Sequence, residues 1–190
     1  MSRFILASVL LLTTIASAGP VPRRAPGFVV NLTPSGQVTP AQFRGKVVLL
    51  TFIFTTCPHC QQVTQYLNGL QKEYALRGLQ ILSAAFAGDN DMAKTQVPGF
   101  IKQYQPSFPV GYTTRKDVLN FLGRDANAEM YVPISVFIDR KGVIRGEHMG
   151  DSPFYQNYEK SIRAQIEELL KEPLLPAPKG KSTNTKKKMS

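Results

Sequence analysis

The chain has 190 residues, a formal net charge of +10, only two cysteines and no tryptophan. This length is enough for one domain with a substantial hydrophobic core. Five lysines that follow Pro173, with no acidic residue among them, account for half of the net charge. The rest of the chain is therefore only mildly basic, and the sequence does not predict a nucleic-acid partner.

The first 18 residues have the three parts of a secretory signal peptide. Arg3 gives a positive start, an apolar core runs from Phe4 to Ile15, and Ala16-Ser17-Ala18 forms a cleavage site of small residues. The apolar core is short for a membrane span. We expect cleavage after Ala18 and export of the protein to a compartment where disulfides persist. A bacterial periplasm is the expected location, with an extracellular location or an uncleaved anchor as the alternatives.

Composition divides the remaining chain into three parts. Residues 19–27 are rich in proline and glycine and are predicted to be a linker. The domain is predicted to run from residue 28 to residue 172 and to begin with a hairpin that turns at 33–36. Residues 173–190 are rich in proline and lysine, and we expect a disordered tail, with weak contact to anionic surfaces as a further role.

Hydrophobic periodicity predicts alternating strands and helices through the domain. In chain order they are a capped turn at 39–43, a buried strand at 47–54, a helix at 57–77, a strand at 79–86, a helix at 88–106 interrupted at Pro98-Gly99, a strand at 108–112, a helix at 114–122, a strand at 132–139, an edge strand at 143–148 and a final helix from Ser152. Parallel pairing of strands in the first half of the chain and antiparallel pairing in the second half would give an α/β fold with a mixed central sheet and helices on both faces.

The two cysteines, Cys57 and Cys60, follow the buried strand and begin the first long helix. At this spacing the sulfurs can form a disulfide across one helical turn, and the helix N-terminus favours a thiolate at Cys57. A C-x-x-C motif at a strand-to-helix turn favours redox chemistry, because the thiolate is the nucleophile in disulfide exchange. A structural disulfide and a zinc site are the alternatives. Zinc usually needs four protein ligands, and only His59 and His148 could be added to the thiols.

Two separated strings carry a family resemblance. GKVVLLTFIFTTCPHC, followed much later by VPISVFIDRKGVI, resembles the thioredoxin superfamily, and most closely its periplasmic TlpA/ResA-type thiol-disulfide oxidoreductases. The resemblance implies a thioredoxin-like fold with an N-terminal hairpin and an inserted αβ unit. It implies that Cys57 attacks, that Cys60 resolves, and that Pro133 is a cis-proline which binds the substrate chain together with Val132. It also implies protein thiols and disulfides as substrates, a membrane redox partner, and no cofactor besides the disulfide.

The residues around the cysteines leave the direction of electron flow open. Pro58 and His59 between the cysteines, and Val132 before the proline, resemble the oxidising periplasmic proteins of the DsbA type. A protonated His59 beside the Cys57 thiolate would stabilise the reduced form and make the disulfide a better oxidant. The separation between the C-x-x-C motif and the proline, in contrast, resembles the TlpA/ResA layout.

Two positions at which related proteins carry an acid are occupied by Thr51 and Val63. General-base assistance to Cys60 would then have to come from water or from a more distant group. A copper-binding module of the Sco type is the second functional hypothesis, with Cys57, Cys60 and His148 as ligands, because soft thiolates suit Cu(I). The Sco motif has one more residue between its cysteines than this chain has.

Overall fold

A computed structural model describes residues 20–87 and 90–174. The predicted signal peptide, and all of the predicted tail beyond residue 174, lie outside these residues. The strands are β1 (Arg23–Arg24), β2 (Val30–Asn31), β3 (Gln37–Val38), β4 (Val47–Ile53), β5 (Leu79–Ala85), β6 (Val110–Tyr112), β7 (Ile134–Ile138) and β8 (Val143–His148). The helices are α1 (Pro58–Tyr74), α2 (Asn90–Tyr104), α3 (Arg115–Leu122) and α4 (Tyr158–Leu170), with 3-10 turns at Pro40–Phe43, Ala75–Arg77 and Pro153–Asn157.

All eight strands join one mixed sheet in the order β1-β8-β7-β4-β5-β6-β2-β3. The pairs β4–β5 and β5–β6 are parallel, and the other neighbours in the sheet are antiparallel. Every residue of β4 is buried, as expected for a central strand covered on both faces. The predicted α/β fold, its N-terminal hairpin and its inserted unit of α2 and β6 are therefore confirmed.

Alternate residues of β4 face two separate hydrophobic clusters. The Cys60 core contains Cys60 and the buried faces of α1, α2 and α4. The Phe28 core contains Phe28 and the buried face of α3 on the opposite side of the sheet. Helices thus cover both faces, and the two cysteines lie at the end of β4, above the first of these cores.

Local signals place the helix ends close to their predicted positions. The side chain of Cys57 is the N-cap of α1, and Pro58 occupies the first turn, where its missing N–H costs nothing. Thr114 caps α3 by accepting a hydrogen bond from the Asp117 amide at 2.9 Å. Gly123 then ends that helix in the left-handed region, with φ of 66°.

The interruption predicted at Pro98 is wrong, because α2 continues from Asn90 to Tyr104 through this residue. Proline removes one backbone donor and disfavours a helix interior. Here Val97 is fully buried and Phe100 is nearly so, and both pack into the Cys60 core. These contacts hold the helix on both sides of the proline.

The predicted linker is in part a strand. Arg23 and Arg24 pair with Ile144 and Val143 of β8, so β8 is not the edge strand that the sequence predicts. Residues 23–38, which we call the N-terminal strap, reach from β8 near one edge of the sheet to β6 near the other. Composition could not reveal this pairing, because the partner strand lies more than a hundred residues away. Within the described residues, no helix is long and apolar enough to cross a membrane.

Candidate active site

The turn that carries the cysteines is fixed from two helices. The Cys57 amide donates to the Phe54 carbonyl at 3.2 Å. The Gln61 side chain in α1 donates to the Thr55 carbonyl at 2.9 Å, and the Thr55 hydroxyl donates to Gln96 in α2 at 2.5 Å. The inserted helix therefore helps to set the position of the motif, a role for Gln96 that the sequence did not reveal.

The two cysteines differ sharply in exposure. Both are free thiols, with Cys57 half-buried and Cys60 completely buried. The Cys57 sulfur accepts a hydrogen bond from the Cys60 amide at 3.3 Å. A sulfur that accepts from an amide at a helix N-terminus is well placed to carry negative charge. One thiol can thus be reached by a partner, and the second lies directly behind it.

Burial raises the pKa of the Cys60 thiol well above its ordinary value, and the adjacent Cys57 raises it further. Of the two positions at which the family resemblance implies an acid, one carries a hydroxyl and the other an apolar side chain. Thr51 is buried and shares a hydrogen bond of 2.6 Å with Ser83 on the neighbouring strand. Val63 is buried in the Cys60 core. Cys60 is therefore a neutral thiol near pH 7, and neither Thr51 nor Val63 offers it a base.

The Val132–Pro133 peptide bond is cis, as predicted. Pro133 lies directly before β7, whose Ile134 pairs with Phe52 near the end of β4. The proline therefore lies at the same end of the sheet as the cysteines. Val132 and Cys57 both pack against the Cys60 core.

Gly150 lies against the cis peptide. A Cβ atom at this position would approach the Val132 carbonyl oxygen to 2.5 Å, which no side chain could occupy without displacing the backbone. The Gly150 amide also donates to the Tyr131 carbonyl at 2.7 Å. The segment after β8 therefore supports the proline loop from behind, and only glycine allows this approach. Nothing in the local sequence marks Gly150 as part of the site.

The ring of His59 packs against two tyrosines. Its centroid lies 6.1 Å from the Tyr155 ring and 5.8 Å from the Tyr158 ring. Tyr155 lies in the 3-10 turn before α4, and Tyr158 is the first residue of α4. The sequence assigned Tyr158 to an apolar stripe and gave no indication for Tyr155, since nothing local connects these residues to a motif almost a hundred positions earlier.

His148 does not join the cysteines. Its ring stacks on Phe154 at 3.8 Å with an angle of 5° between the planes, and its Nε2 atom lies 2.9 Å from the Gln165 side-chain oxygen. Burial lowers the pKa of His148. In the part of the chain that the structure describes, no three His, Cys, Asp or Glu residues are grouped so as to hold a metal ion. The copper site of the second hypothesis is therefore not supported.

Comparison with known proteins agrees with this geometry. The family model described as Redoxin matches residues 20–164. This chain belongs to the Redoxin family. It is 30% identical over 149 residues to the thiol-disulfide oxidoreductase ResA of Bacillus thuringiensis subsp. konkukian, which covers 78% of this chain and 76% of that protein. Like this relative, the protein is a thiol-disulfide oxidoreductase of the TlpA/ResA-like branch.

Solved structures support the fold independently. The structure of a thiol:disulfide interchange protein of the thioredoxin family from Chlorobium tepidum matches with a TM-score of 0.64 and 22% identity, over 80% of this chain and 99% of that one. A secreted disulfide oxidoreductase of Mycobacterium tuberculosis, homologous to DsbE of E. coli, matches with a TM-score of 0.57 and 15% identity, over 75% and 96%. At these identities the likeness shows a shared thioredoxin-like fold.

Proposed function

We propose that the protein is an exported enzyme that exchanges a Cys57–Cys60 disulfide with the thiols of other proteins. The observation that carries this proposal is the asymmetric pair of thiols at the helix N-terminus, one accessible and one buried. Such a pair separates the two roles that disulfide exchange requires, attack by one sulfur and resolution by the other.

The exchange proceeds in two steps. A substrate thiolate attacks the Cys57 sulfur, the Cys57–Cys60 bond breaks, and Cys60 leaves as a thiolate that takes up a proton. The second thiolate of the same substrate then attacks the substrate sulfur that is bonded to Cys57. This forms the substrate disulfide and releases Cys57 as a thiolate. Two electrons pass from the substrate to the protein, and the substrate gains a disulfide. The reverse sequence reduces a substrate disulfide, with Cys57 attacking and Cys60 resolving.

In this proposal the cis-proline loop holds the substrate chain beside Cys57. The backbone of Val132 would form strand-like hydrogen bonds with an extended segment of the substrate, as the family resemblance implies. The support is positional, since Pro133 precedes β7 at the end of the sheet where α1 begins. Gly150 keeps this loop in place through its close approach to Val132. The disulfide itself serves as the redox group, with no added cofactor.

Export and a redox partner complete the proposal. A signal peptide at residues 1–18 would deliver the enzyme to a periplasm or to the outside, and the name of the mycobacterial neighbour describes that protein as secreted. Each catalytic cycle changes the oxidation state of the Cys57–Cys60 pair, so a membrane redox protein would return the pair to its starting state before the next cycle. Residues 173–190 would take no part in the chemistry.

The direct experiment compares two single-cysteine variants in an insulin-reduction assay. Cys57→Ser should abolish activity, because no attacking thiol remains. Cys60→Ser should also lose turnover but should accumulate a mixed disulfide with a test substrate, visible by mass spectrometry. Circular dichroism would confirm that both variants are folded. Full activity in Cys57→Ser, or a mixed disulfide formed by Cys60 in place of Cys57, would contradict the proposal.

A further inference from the structure

The histidine between the two cysteines is contacted from the last helix of the fold. The ring planes of His59 and Tyr158 are nearly perpendicular, at 87°, with centroids 5.8 Å apart. The Tyr155 ring lies at 6.1 Å with a tilt of 57°. Distances and angles of this kind are those of favourable contacts between aromatic rings. Tyr155 lies in the 3-10 turn Pro153–Asn157 and Tyr158 is the first residue of α4, so two consecutive elements bring their rings to His59.

Both tyrosines are themselves held in place. Tyr155 is buried, and its hydroxyl shares a hydrogen bond of 2.7 Å with Ser135 on β7. The Tyr158 ring packs against Tyr66 of α1 at 5.8 Å, and the Tyr66 hydroxyl donates to the Glu159 carbonyl at 2.8 Å. The surroundings of His59 are therefore anchored to the sheet on one side and to α1 on the other.

The position of His59 matters because its imidazole is the side chain between the two cysteines that can become positively charged. A half-exposed side chain on a helix normally samples several rotamers. Contact with two fixed rings restricts that freedom and excludes water from one face of the imidazole. A fixed charge in a less hydrated setting interacts more strongly with a nearby thiolate than a mobile, hydrated one.

We propose that Tyr155 and Tyr158, the tyrosine clamp, position His59 and thereby shift the Cys57–Cys60 couple toward its reduced form. Neither tyrosine takes part in bond making, so both are positioning residues. The inference rests on the proposed function, because it requires that these two cysteines form the redox couple.

The equilibrium with reduced and oxidised glutathione at mildly acidic pH tests the clamp. In Tyr158→Ala the equilibrium constant for reduction of the protein should fall about threefold, the size of a screened interaction between unit charges a few ångströms apart. Tyr158→Phe keeps the ring and should retain the wild-type value. His59→Ala, which removes the charge altogether, should show a fall at least as large as that of Tyr158→Ala, and adding Tyr158→Ala to His59→Ala should change nothing more.

A matched control is Tyr104→Ala, which removes a half-buried tyrosine that packs against Phe100 of α2 instead and should leave the equilibrium unchanged. If Tyr158→Ala does not fold, Tyr158→Leu preserves apolar volume without an aromatic ring and takes its place. The clamp would be overturned if the equilibrium constant for reduction were unchanged in Tyr158→Ala or its substitute Tyr158→Leu. It would also be overturned if Tyr158→Ala lowered that constant further in the His59→Ala background. Failure of the proposed function itself would look different, since the wild-type protein would then show no glutathione-dependent couple.

Discussion

At the level of single residues, the two cysteines differ in solvent exposure. Cys60 has no exposed surface, and burial raises the pKa of its thiol. Only the thiolate attacks a disulfide, so at neutral pH the resolving step depends on a small ionised fraction of Cys60. Because Thr51 lies where related proteins carry an acid, no carboxylate at that position assists the loss of the proton.

This predicts a steep pH dependence of resolution. Below the raised pKa of Cys60 the thiolate fraction grows about tenfold for each pH unit. When Cys57 carries a thionitrobenzoate group as a mixed disulfide, attack by Cys60 forms the Cys57–Cys60 bond and releases coloured thionitrobenzoate. Its release rate in stopped flow should rise with a logarithmic slope of about one between roughly pH 5 and pH 8. Cys60→Ser, as the control, should release none, and a plateau near neutrality would contradict the prediction.

At the level of elements, local signals predicted most of the fold, and contacts distant in sequence account for what they missed. The cap at Thr114, the turn at Gly123 and the buried run of β4 are each encoded within a few residues, so periodicity and capping rules locate them. Pro98 was misread because its helix is held by tertiary packing of Val97. The same limit explains why Cys57 and Cys60 could be predicted and Tyr155 could not.

Arg140 joins several elements at the end of the sheet opposite the cysteines. Its guanidinium is almost completely buried. It donates to the carbonyls of Gly45 before β4 at 2.9 Å, of Arg77 after α1 at 3.2 Å and of Glu172 after α4 at 3.3 Å. One side chain thus donates to carbonyls at the ends of three segments.

Replacing this residue should therefore reduce stability and leave the chemistry unchanged. Arg140→Ala should lower the free energy of unfolding by about 3 kcal/mol, because three hydrogen bonds from a charged and buried donor are lost. Arg145→Ala is the matched control, since that arginine is 41% exposed and its buried partner Asp139 still accepts hydrogen bonds from the Lys141 and Val143 amides. It should cost less than about 1 kcal/mol. Urea titration measures both, and a similar loss in the two variants would contradict the role of Arg140.

At the level of the whole molecule, the N-terminal strap contacts both β8 and β6, which lie near opposite edges of the sheet. Phe28 packs between Phe52 of β4 and Phe121 of α3, with ring centroids 5.3 and 5.0 Å away. At the β8 end, the Arg23 side chain lies 2.7 Å from the Glu147 carboxylate, which is only 6% exposed. The strap thus closes the Phe28 core and covers part of β8, although its composition resembles that of a linker.

Removing the first part of the strap should therefore weaken the domain and uncover a strand. In a chain that begins at Gly27, β1 is lost, and of its two ion-pair partners in the described residues Glu147 keeps Arg124, at 3.3 Å. Relative to a chain that begins at Gly19, the free energy of unfolding should fall by about 2 kcal/mol, since a buried carboxylate loses a charged hydrogen bond. The uncovered edge of β8 should also promote association. Urea titration and sedimentation velocity would measure the two effects. Arg23→Ala in the longer chain separates the loss of stability from the association. It should reproduce most of the decrease in the free energy of unfolding but should not promote association, because β1 still covers β8. Equal stability of the two chains would show that residues 19–26 are the simple linker that their composition suggests.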